Sequence, residues 1–201
     1  MKLSVNVDEA LAGDVDLEAV LKTVPKDTTL KGMFLSRYVN AIGEDWEDMA
    51  EDLVAPPRHG RYTAFEDYPL TDYLRLLDRA ARNRFPRAST REAYRLLGRG
   101  DVEVFADSTL GKVTFSLLRD PGAALERYCE MIGVLTRGTL SGEAKKGTNE
   151  VTLTFGRYVG ALEATIGCLE ALVQTFDGKP TIDVTHEPPQ AVFVVKWSLE
   201  K

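Results

Sequence analysis

The clearest structural signal lies at residues 150–178, which read EVTLTFGRYVGALEATIGCLEALVQTFDG. Every second residue of EVTLTF is apolar, which predicts a β-strand with one buried face. From Tyr158 to Phe176 the apolar residues recur at helical spacing instead, and the Asp-Gly pair at 177–178 is typical of a helix end. One strand followed by one long amphipathic helix is therefore predicted here.

Strand patterning continues on both sides of this segment. Before it, residues 140–144 alternate and residues 146–149 (KGTN) form a predicted turn, which completes a β-hairpin. After it, residues 182–184 alternate, residues 186–189 (HEPP) interrupt the strand, and residues 192–197 alternate again. The predicted order is strand, strand, helix, strand, strand, which forms a four-stranded antiparallel sheet with one long helix in its connection.

The chain before residue 138 has helical patterning. Asp16 to Thr23 predicts a short helix, and Thr28-Thr29 can cap a second helix that begins at Leu30 and ends at Gly43. Further helices are predicted to begin near Thr71 or Asp72, Ser89, Asp101 and Asp120. The predicted fold class is α+β, with a helical N-terminal layer packed on the sheet. We expect a single domain over residues 1–201, with a helical part at 1–137 and a sheet part at 138–201.

Composition is that of an ordinary globular protein. The 201 residues carry 25 Lys and Arg against 31 Asp and Glu, and 44% of them are hydrophobic. No apolar run approaches the roughly 18 residues of a membrane span, and the N-terminus lacks a signal-peptide core. Cys129 and Cys168 both lie in apolar helical patterns, which disfavours a disulfide framework. We expect a cytoplasmic protein.

Catalytic motifs are incomplete. Val113 in LGKV stands where a phosphate-binding loop needs Ser or Thr, and Ser141 in GTLSG is one place too late for a nucleophile elbow. Only two histidines occur: His59 in a predicted loop and His186 at a predicted hairpin break. We therefore predict no enzyme activity, no metal site and no cofactor.

Charge is distributed unevenly along the chain. Residues 75–99 contain eight arginines and no lysine, whereas residues 44–52 (EDWEDMAED) contain six acids. Helical spacing places the arginines on shared faces, and guanidinium groups suit carboxylate contacts. Two interpretations stay open: charged faces that pair within the molecule, or a surface that binds a partner. The net charge of -6 disfavours nucleic acid.

Several short motifs carry a family resemblance. LKGMF at 30–34, YPL at 68–70, YLRLL at 73–77, LLG at 96–98 and ALER at 124–127 occur in an order that resembles a myxobacterial paralogous domain family without an assigned activity. The resemblance extends from Leu30 to Trp197. Its motifs are apolar or structural, so it implies homology rather than a mechanism.

A more distant resemblance involves the C-terminal part. YVGAL at 158–162, GCLEAL at 167–172 and FVVKW at 193–197 are similar to TRAPP-type vesicle-tethering subunits. Four-vinyl-reductase domains and haem nitric oxide/oxygen-binding domains share the same strand and helix order. This fold group implies a small-molecule sensor or a dimeric scaffold. The sequence lacks the helical histidine and the Tyr-x-Ser-x-Arg element of the haem-binding branch, so we expect no haem.

The sequence therefore indicates two possible functions. The first is a non-enzymatic regulatory or scaffolding homodimer that binds a protein partner. The resemblance to the tethering subunits implies a small GTPase or one of its regulators as that partner. Its predicted contact residues are Arg75, Arg79, Arg82, Arg91 and Arg95.

The alternative is a sensor domain that encloses a small apolar ligand between the helices and the sheet. Its predicted lining residues are Phe34, Tyr38, Phe105, Tyr158 and Leu162. Cys168 is expected to pack in the core. The alternative, which the resemblance to the tethering subunits implies, is a cysteine that carries an attached acyl chain.

Overall fold

A computed structural model describes residues 13–57, 61–138 and 142–199. The helices are α1 (Leu17–Thr23), α2 (Gly32–Ile42), α3 (Trp46–Glu51), α4 (Leu70–Arg84), α5 (Thr90–Asp107), α6 (Thr109–Ser116), α7 (Pro121–Leu135) and α8 (Leu162–Gln174). The strands are β1 (Thr29–Lys31), β2 (Asp67–Pro69), β3 (Thr136–Arg137), β4 (Gly142–Gly147), β5 (Glu150–Phe155), β6 (Gly178–Glu187) and β7 (Gln190–Leu199). The loop interpretation of His59 falls outside the described residues.

Side-chain caps determine where several helices begin. The carboxylates of Asp16 and Asp120 accept hydrogen bonds from main-chain N–H groups at the starts of α1 and α7. The hydroxyl of Ser89 does the same for α5. These caps satisfy N–H groups that have no partner inside the helix, so the three helix starts agree with the sequence prediction. Gly43, with a φ of 64°, ends α2 as predicted.

The predicted helix start at Asp101 is wrong. Helix α5 continues through this residue to Asp107, and the next helix begins after Ser108, whose hydroxyl accepts from the Gly111 N–H. Asp101 is buried in the middle of α5. An aspartate that reads as a cap in sequence is therefore a buried carboxylate in the structure.

The C-terminal half forms the predicted four-stranded antiparallel sheet, in the order β4-β5-β7-β6. Val151 faces Val195 and Leu153 faces Phe193 across the β5–β7 pair, so the apolar alternation of both strands lies on one buried face. The strand, strand, helix, strand, strand order is confirmed, and the fold is α+β with helices first and strands last.

A second, three-stranded sheet was not predicted. Strand β1 pairs with both β2 and β3, in the order β2-β1-β3, and Leu30 lies opposite both Tyr68 and Thr136. Because Leu30 belongs to β1, helix α2 begins two residues later than expected, at Gly32. This small sheet joins the start of the helical part to the end of α7.

The hydrophobic core has two clusters. One lies among the N-terminal helices around Leu35, Leu74 and Leu77, and the other lies between the four-stranded sheet and helices α7 and α8. Helix α5 packs along α8 and so connects the two clusters. None of the described helices combines the length and apolar content that crossing a membrane takes.

Helices α5 and α8 cross at very short range. A Cβ atom at Gly98 would overlap the main-chain oxygen of Ala164, and one at Gly167 would overlap the main-chain oxygen of Arg95. Glycine is therefore required at both positions by the close approach of the two backbones. The bidentate pair between Arg95 and Glu170, with a shortest N···O distance of 2.6 Å, closes the same interface.

Candidate functional site

A cavity of about 140 Å³ lies where the two core clusters meet. Its wall is built by six helices, by strands β1, β3 and β5, and by the loop that leads into α8. An apolar cavity of about 150 Å³ in another protein binds benzene, so this one has room for a molecule of that size.

Most side chains of the wall are apolar. They are contributed by distant parts of the chain, including Phe34 of α2, Phe105 of α5, Phe115 of α6, Ile132 of α7, Phe155 of β5 and Leu172 of α8. Folding is needed to bring these residues together, because no short motif contains more than a few of them. The arrangement provides a mostly apolar surface around a small ligand.

The structure brings together three of the five residues predicted to line a pocket. Phe34, Phe105 and Tyr158 contribute to the wall. Tyr38 is fully buried and lies behind the wall, where its hydroxyl binds Asp101. Leu162 is partly buried against the sheet-side cluster and is not among the described lining residues.

A buried carboxylate, Asp101, is the main polar feature of the wall. Tyr38 donates to both of its oxygens at 2.9 and 3.0 Å, Tyr73 donates to Oδ2 at 2.8 Å, and Arg37 donates to Oδ1 at 2.9 Å. Burial raises the pKa of Asp101, while Arg37 and the two phenols favour its charged form. All three neighbours act as donors, so the geometry is that of an ionised carboxylate.

Sequence reasoning missed Asp101 as a site residue. It follows Leu97 by four residues on α5 and therefore shares the buried face of the helix. An acid on the apolar face of a predicted helix was the available signal. Its interpretation as a helix cap concealed that signal.

Four other polar groups of the wall are already hydrogen-bonded inside the protein. Their hydrogens go to main-chain oxygens: Thr136 to Ile132 at 2.6 Å, Tyr158 to Ala161 at 3.2 Å, and the Cys168 thiol to Gly98 at 3.0 Å. Thr165 is bonded to the Tyr158 hydroxyl at 2.7 Å. These four groups therefore do not need a ligand as a hydrogen-bond partner.

One side of the cavity is close to solvent. Phe115, Leu118 and Val159 are only partly buried, and Arg127 is exposed and paired with Glu130 at 2.6 Å. These residues belong to α6, to the turn after it, to α7 and to the loop before α8. A ligand would have its shortest route to the interior between them.

The arginines predicted to bind a partner are not among the lining residues. Each lies near a carboxylate of its own chain: Arg91 at 2.6 Å from Glu163, Arg95 at 2.6 Å from Glu170, Arg82 at 2.8 Å from Asp78, Arg79 at 3.8 Å from Asp45, and Arg75 at 3.9 Å from Glu18. Pairing within the molecule was the first of the two interpretations above. Partner binding by these arginines stays a prediction.

Residues 22–198 match a protein family described as a protein of unknown function, DUF2378. The chain belongs to the DUF2378 family. This assignment confirms the predicted membership of a family without an assigned activity, whereas a myxobacterial source stays a prediction. No curated protein sequence matches this DUF2378 chain.

Solved structures with a similar fold include H-NOX proteins. The DUF2378 chain is similar to an H-NOX protein from S. oneidensis in the Fe(II)NO ligation state, with a TM-score of 0.64, 13% identity, and coverage of 84% of this chain and 99% of that chain. It is also similar to an unliganded Fe(II) H-NOX protein from K. algicida, with a TM-score of 0.60, 16% identity, and coverage of 85% and 98%. At such identities the likeness shows the fold, and it agrees with the predicted superfamily.

The wall of this DUF2378 domain does not fit a haem group. Among the described lining residues there is no histidine, and His186 lies on β6 with its ring against Tyr158, at 5.8 Å between ring centroids. Burial raises the pKa of the Cys168 thiol, which donates to Gly98 and is therefore neutral rather than a thiolate ligand. Burial likewise raises the pKa of Tyr73, so its hydroxyl stays protonated.

Proposed function

We propose that this DUF2378 domain is a non-catalytic sensor that encloses a small apolar molecule in the interior cavity. The observation that carries the proposal is the cavity of about 140 Å³ at the junction of the two core clusters. The H-NOX neighbours add support, because the S. oneidensis protein is described with NO bound in the same overall fold.

Filling the cavity is energetically favourable. At about 24 cal/mol per Å³, an apolar cavity of about 140 Å³ costs the folded protein about 3 kcal/mol. A ligand that fills it restores the missing van der Waals contacts and stabilises the folded state by part of that amount. Asp101, Thr136, Tyr158 and Cys168 are already hydrogen-bonded within the protein, so an apolar ligand leaves these hydrogen bonds intact.

The position of the cavity suits a sensor. Phe34 and Leu135 of its wall belong to the helical cluster, whereas Phe155 and Leu172 belong to the sheet-side cluster. A bound ligand contacts both clusters and therefore stabilises their packed arrangement. A change in the population of packed and loosened states is the response that a sensor domain needs.

The comparisons favour this proposal over the protein-partner function that the sequence suggested first. The similar solved structures named above are H-NOX proteins, and they give no support to a partner surface. Homodimerisation and small-GTPase binding through the arginines stay predictions without a supporting contact.

A cavity-filling variant tests the proposal, with benzene as the probe. Val102 lines the cavity and is 9% exposed, so Val102→Phe places a larger side chain in the space that a ligand would use. Val134→Phe is the matched control, because Val134 is 61% exposed on α7 and is not a lining residue. We expect benzene to raise the thermal midpoint of the wild type and of the control, but not of Val102→Phe. Equal responses of all three proteins, or none in the wild type, would contradict the proposal.

A further inference from the structure

We infer that the ligand is uncharged and carries a hydrogen-bond acceptor, which binds the side-chain hydroxyl of Thr114. The inference rests on the proposed function and assigns a chemical class to its ligand. Compact ketones, aldehydes, ethers and nitriles belong to this class, since each joins a small apolar body to one acceptor atom and has no donor of its own.

Thr114 is a buried polar residue of the cavity wall. It lies on α6, is 5% exposed, and lines the cavity together with Leu118, which follows four residues later. Residues four apart lie on the same face of a helical turn, so the Thr114 side chain shares the cavity face of this segment. Its hydroxyl is therefore placed where an enclosed ligand can reach it.

The Thr114 hydroxyl has no hydrogen-bond partner among the residues that the structure describes. A hydroxyl inside a helix often donates to a main-chain oxygen of the preceding turn. Ser116 on the same helix does so, to the Val113 oxygen at 2.8 Å, whereas Thr114 makes no such bond. A buried donor without a partner is costly, so a ligand acceptor that takes this hydrogen is favoured over an apolar group of the same shape.

Other hydroxyls of the wall already have partners. Four of them form hydrogen bonds inside the protein, those of Tyr73, Thr136, Tyr158 and Thr165. Burial raises the pKa of Tyr128, and a side-chain hydrogen bond with Thr165 opposes this rise, so Tyr128 has a partner within the wall as well. Among the described lining residues, Thr114 is therefore the one whose hydroxyl hydrogen is left for a ligand.

Asp101 does not serve as the polar contact of the ligand. Each of its oxygens already has two donor contacts, Oδ1 with Arg37 and Tyr38, and Oδ2 with Tyr38 and Tyr73. A donor on the ligand would lose its hydration without gaining a bond at this carboxylate. The negative charge of Asp101 disfavours an anion in the same cavity, and its pairing with Arg37 at 2.9 Å leaves a cation without a partner there. These features favour a neutral ligand.

Cyclohexanone and methylenecyclohexane are probes of nearly equal shape that test the inference. The ketone has an acceptor oxygen where the hydrocarbon has a CH2 group. We expect both probes to bind the wild-type protein by calorimetry. Valine keeps the shape of threonine without its hydroxyl, so in Thr114→Val the dissociation constant of the ketone should rise by at least about 5-fold relative to that of the hydrocarbon. The hydration of each probe is the same for every variant and cancels in this comparison.

Thr109→Val is the matched control. Thr109 begins the same helix, is exposed and is not a described lining residue, so the ratio of the two dissociation constants should equal that of the wild type. An unchanged ratio in Thr114→Val, an equal change in Thr109→Val, or failure of the ketone alone to bind would overturn the inference and leave the cavity as a binding site. Binding of neither probe to the wild type would overturn the proposed function as well.

A second pair of variants replaces Thr114→Val if that protein does not fold. Thr114→Ser and Thr114→Ala differ by the hydroxyl alone. Thr114→Ser should bind the ketone more tightly than Thr114→Ala does, by at least about 5-fold relative to the hydrocarbon. Equal ratios in these two variants would overturn the assignment to the Thr114 hydroxyl.

Discussion

Gly98→Ala tests the close crossing of α5 and α8, on which the position of the cavity wall depends. The added methyl group would overlap the carbonyl oxygen of Ala164 and would lie 2.7 Å from its carbonyl carbon and 2.8 Å from its Cα. All three atoms belong to the main chain, so no side-chain rotation relieves the overlap. Carbon atoms prefer separations of about 3.5–4.0 Å, so the helices must move apart by about 1 Å.

The cost can be estimated from three contributions. Overpacking by one carbon costs about 1–3 kcal/mol, and a rigid main-chain overlap belongs at the upper end of this range. Separation of the helices also lengthens the Arg95–Glu170 pair and the bond from the Cys168 thiol to Gly98. Alanine favours a helix over glycine by up to about 1 kcal/mol, which offsets part of this cost. We expect a net loss of about 2 kcal/mol or more in the free energy of unfolding.

Urea unfolding followed by circular dichroism measures this loss. With a slope of about 2 kcal/mol per M, the urea midpoint of Gly98→Ala should fall by about 1 M or more. Gly156→Ala is the control, because nothing lies within 4 Å of a Cβ at that position, and its midpoint should stay within about 0.3 M of the wild type. A Gly98→Ala midpoint equal to or above that of the wild type would refute the close-packed crossing.

Three further predictions concern charged and titrating groups. Arg95→Gln removes one of the two arginines that bind the buried Glu170 carboxylate, and Arg99 stays paired with it at 2.9 Å. The lost charge-assisted hydrogen bonds should cost about 1.5–3 kcal/mol in urea unfolding, whereas Arg79→Gln, whose ion-pair distance is 3.8 Å, should cost less than about 0.5 kcal/mol; similar losses would contradict this. Burial lowers the pKa of His186, so the folded state binds a proton less readily than the unfolded state. The free energy of unfolding should therefore fall as the pH drops below about 6.5, and this fall should be less steep in His186→Gln. The Ala123 N–H lowers the pKa of Asp120, so its stabilisation is present above the ordinary value of 3.8 and is lost at lower pH. The difference in melting temperature between the wild type and Asp120→Ala should therefore shrink between pH 7 and pH 2.5.

The long, regular elements could be predicted from the sequence, and the short ones could not. Strands β5 and β7 alternate over six residues or more, and α8 repeats an apolar face over 13 residues, so their periodicity is unambiguous. Strands β1, β2 and β3 contain only two or three residues each. Segments of this length show no period, and pairing between distant parts of the chain creates them.

The candidate site was predicted only in part, because its residues meet through tertiary packing. Phe34, Phe105 and Tyr158 could be proposed as lining residues, since they are large and apolar on predicted inward faces. Tyr38 lies on an equally apolar face, but its hydroxyl turns toward Asp101 and not into the cavity. The sequence pattern predicts which face of a helix is buried. Whether a residue on that face reaches the cavity depends on the helices packed against it.

A methyl NMR titration of the wild-type protein with benzene tests directly whether the cavity binds a small apolar molecule. We expect saturable shifts for the methyl groups of Ile132, Leu135 and Leu172, which line the cavity. The methyl groups of Val151 and Val195, which are buried in the sheet-side cluster but do not line the cavity, should stay unchanged. No saturable shift at the lining residues, or shifts confined to residues away from the cavity, would contradict ligand binding in the cavity.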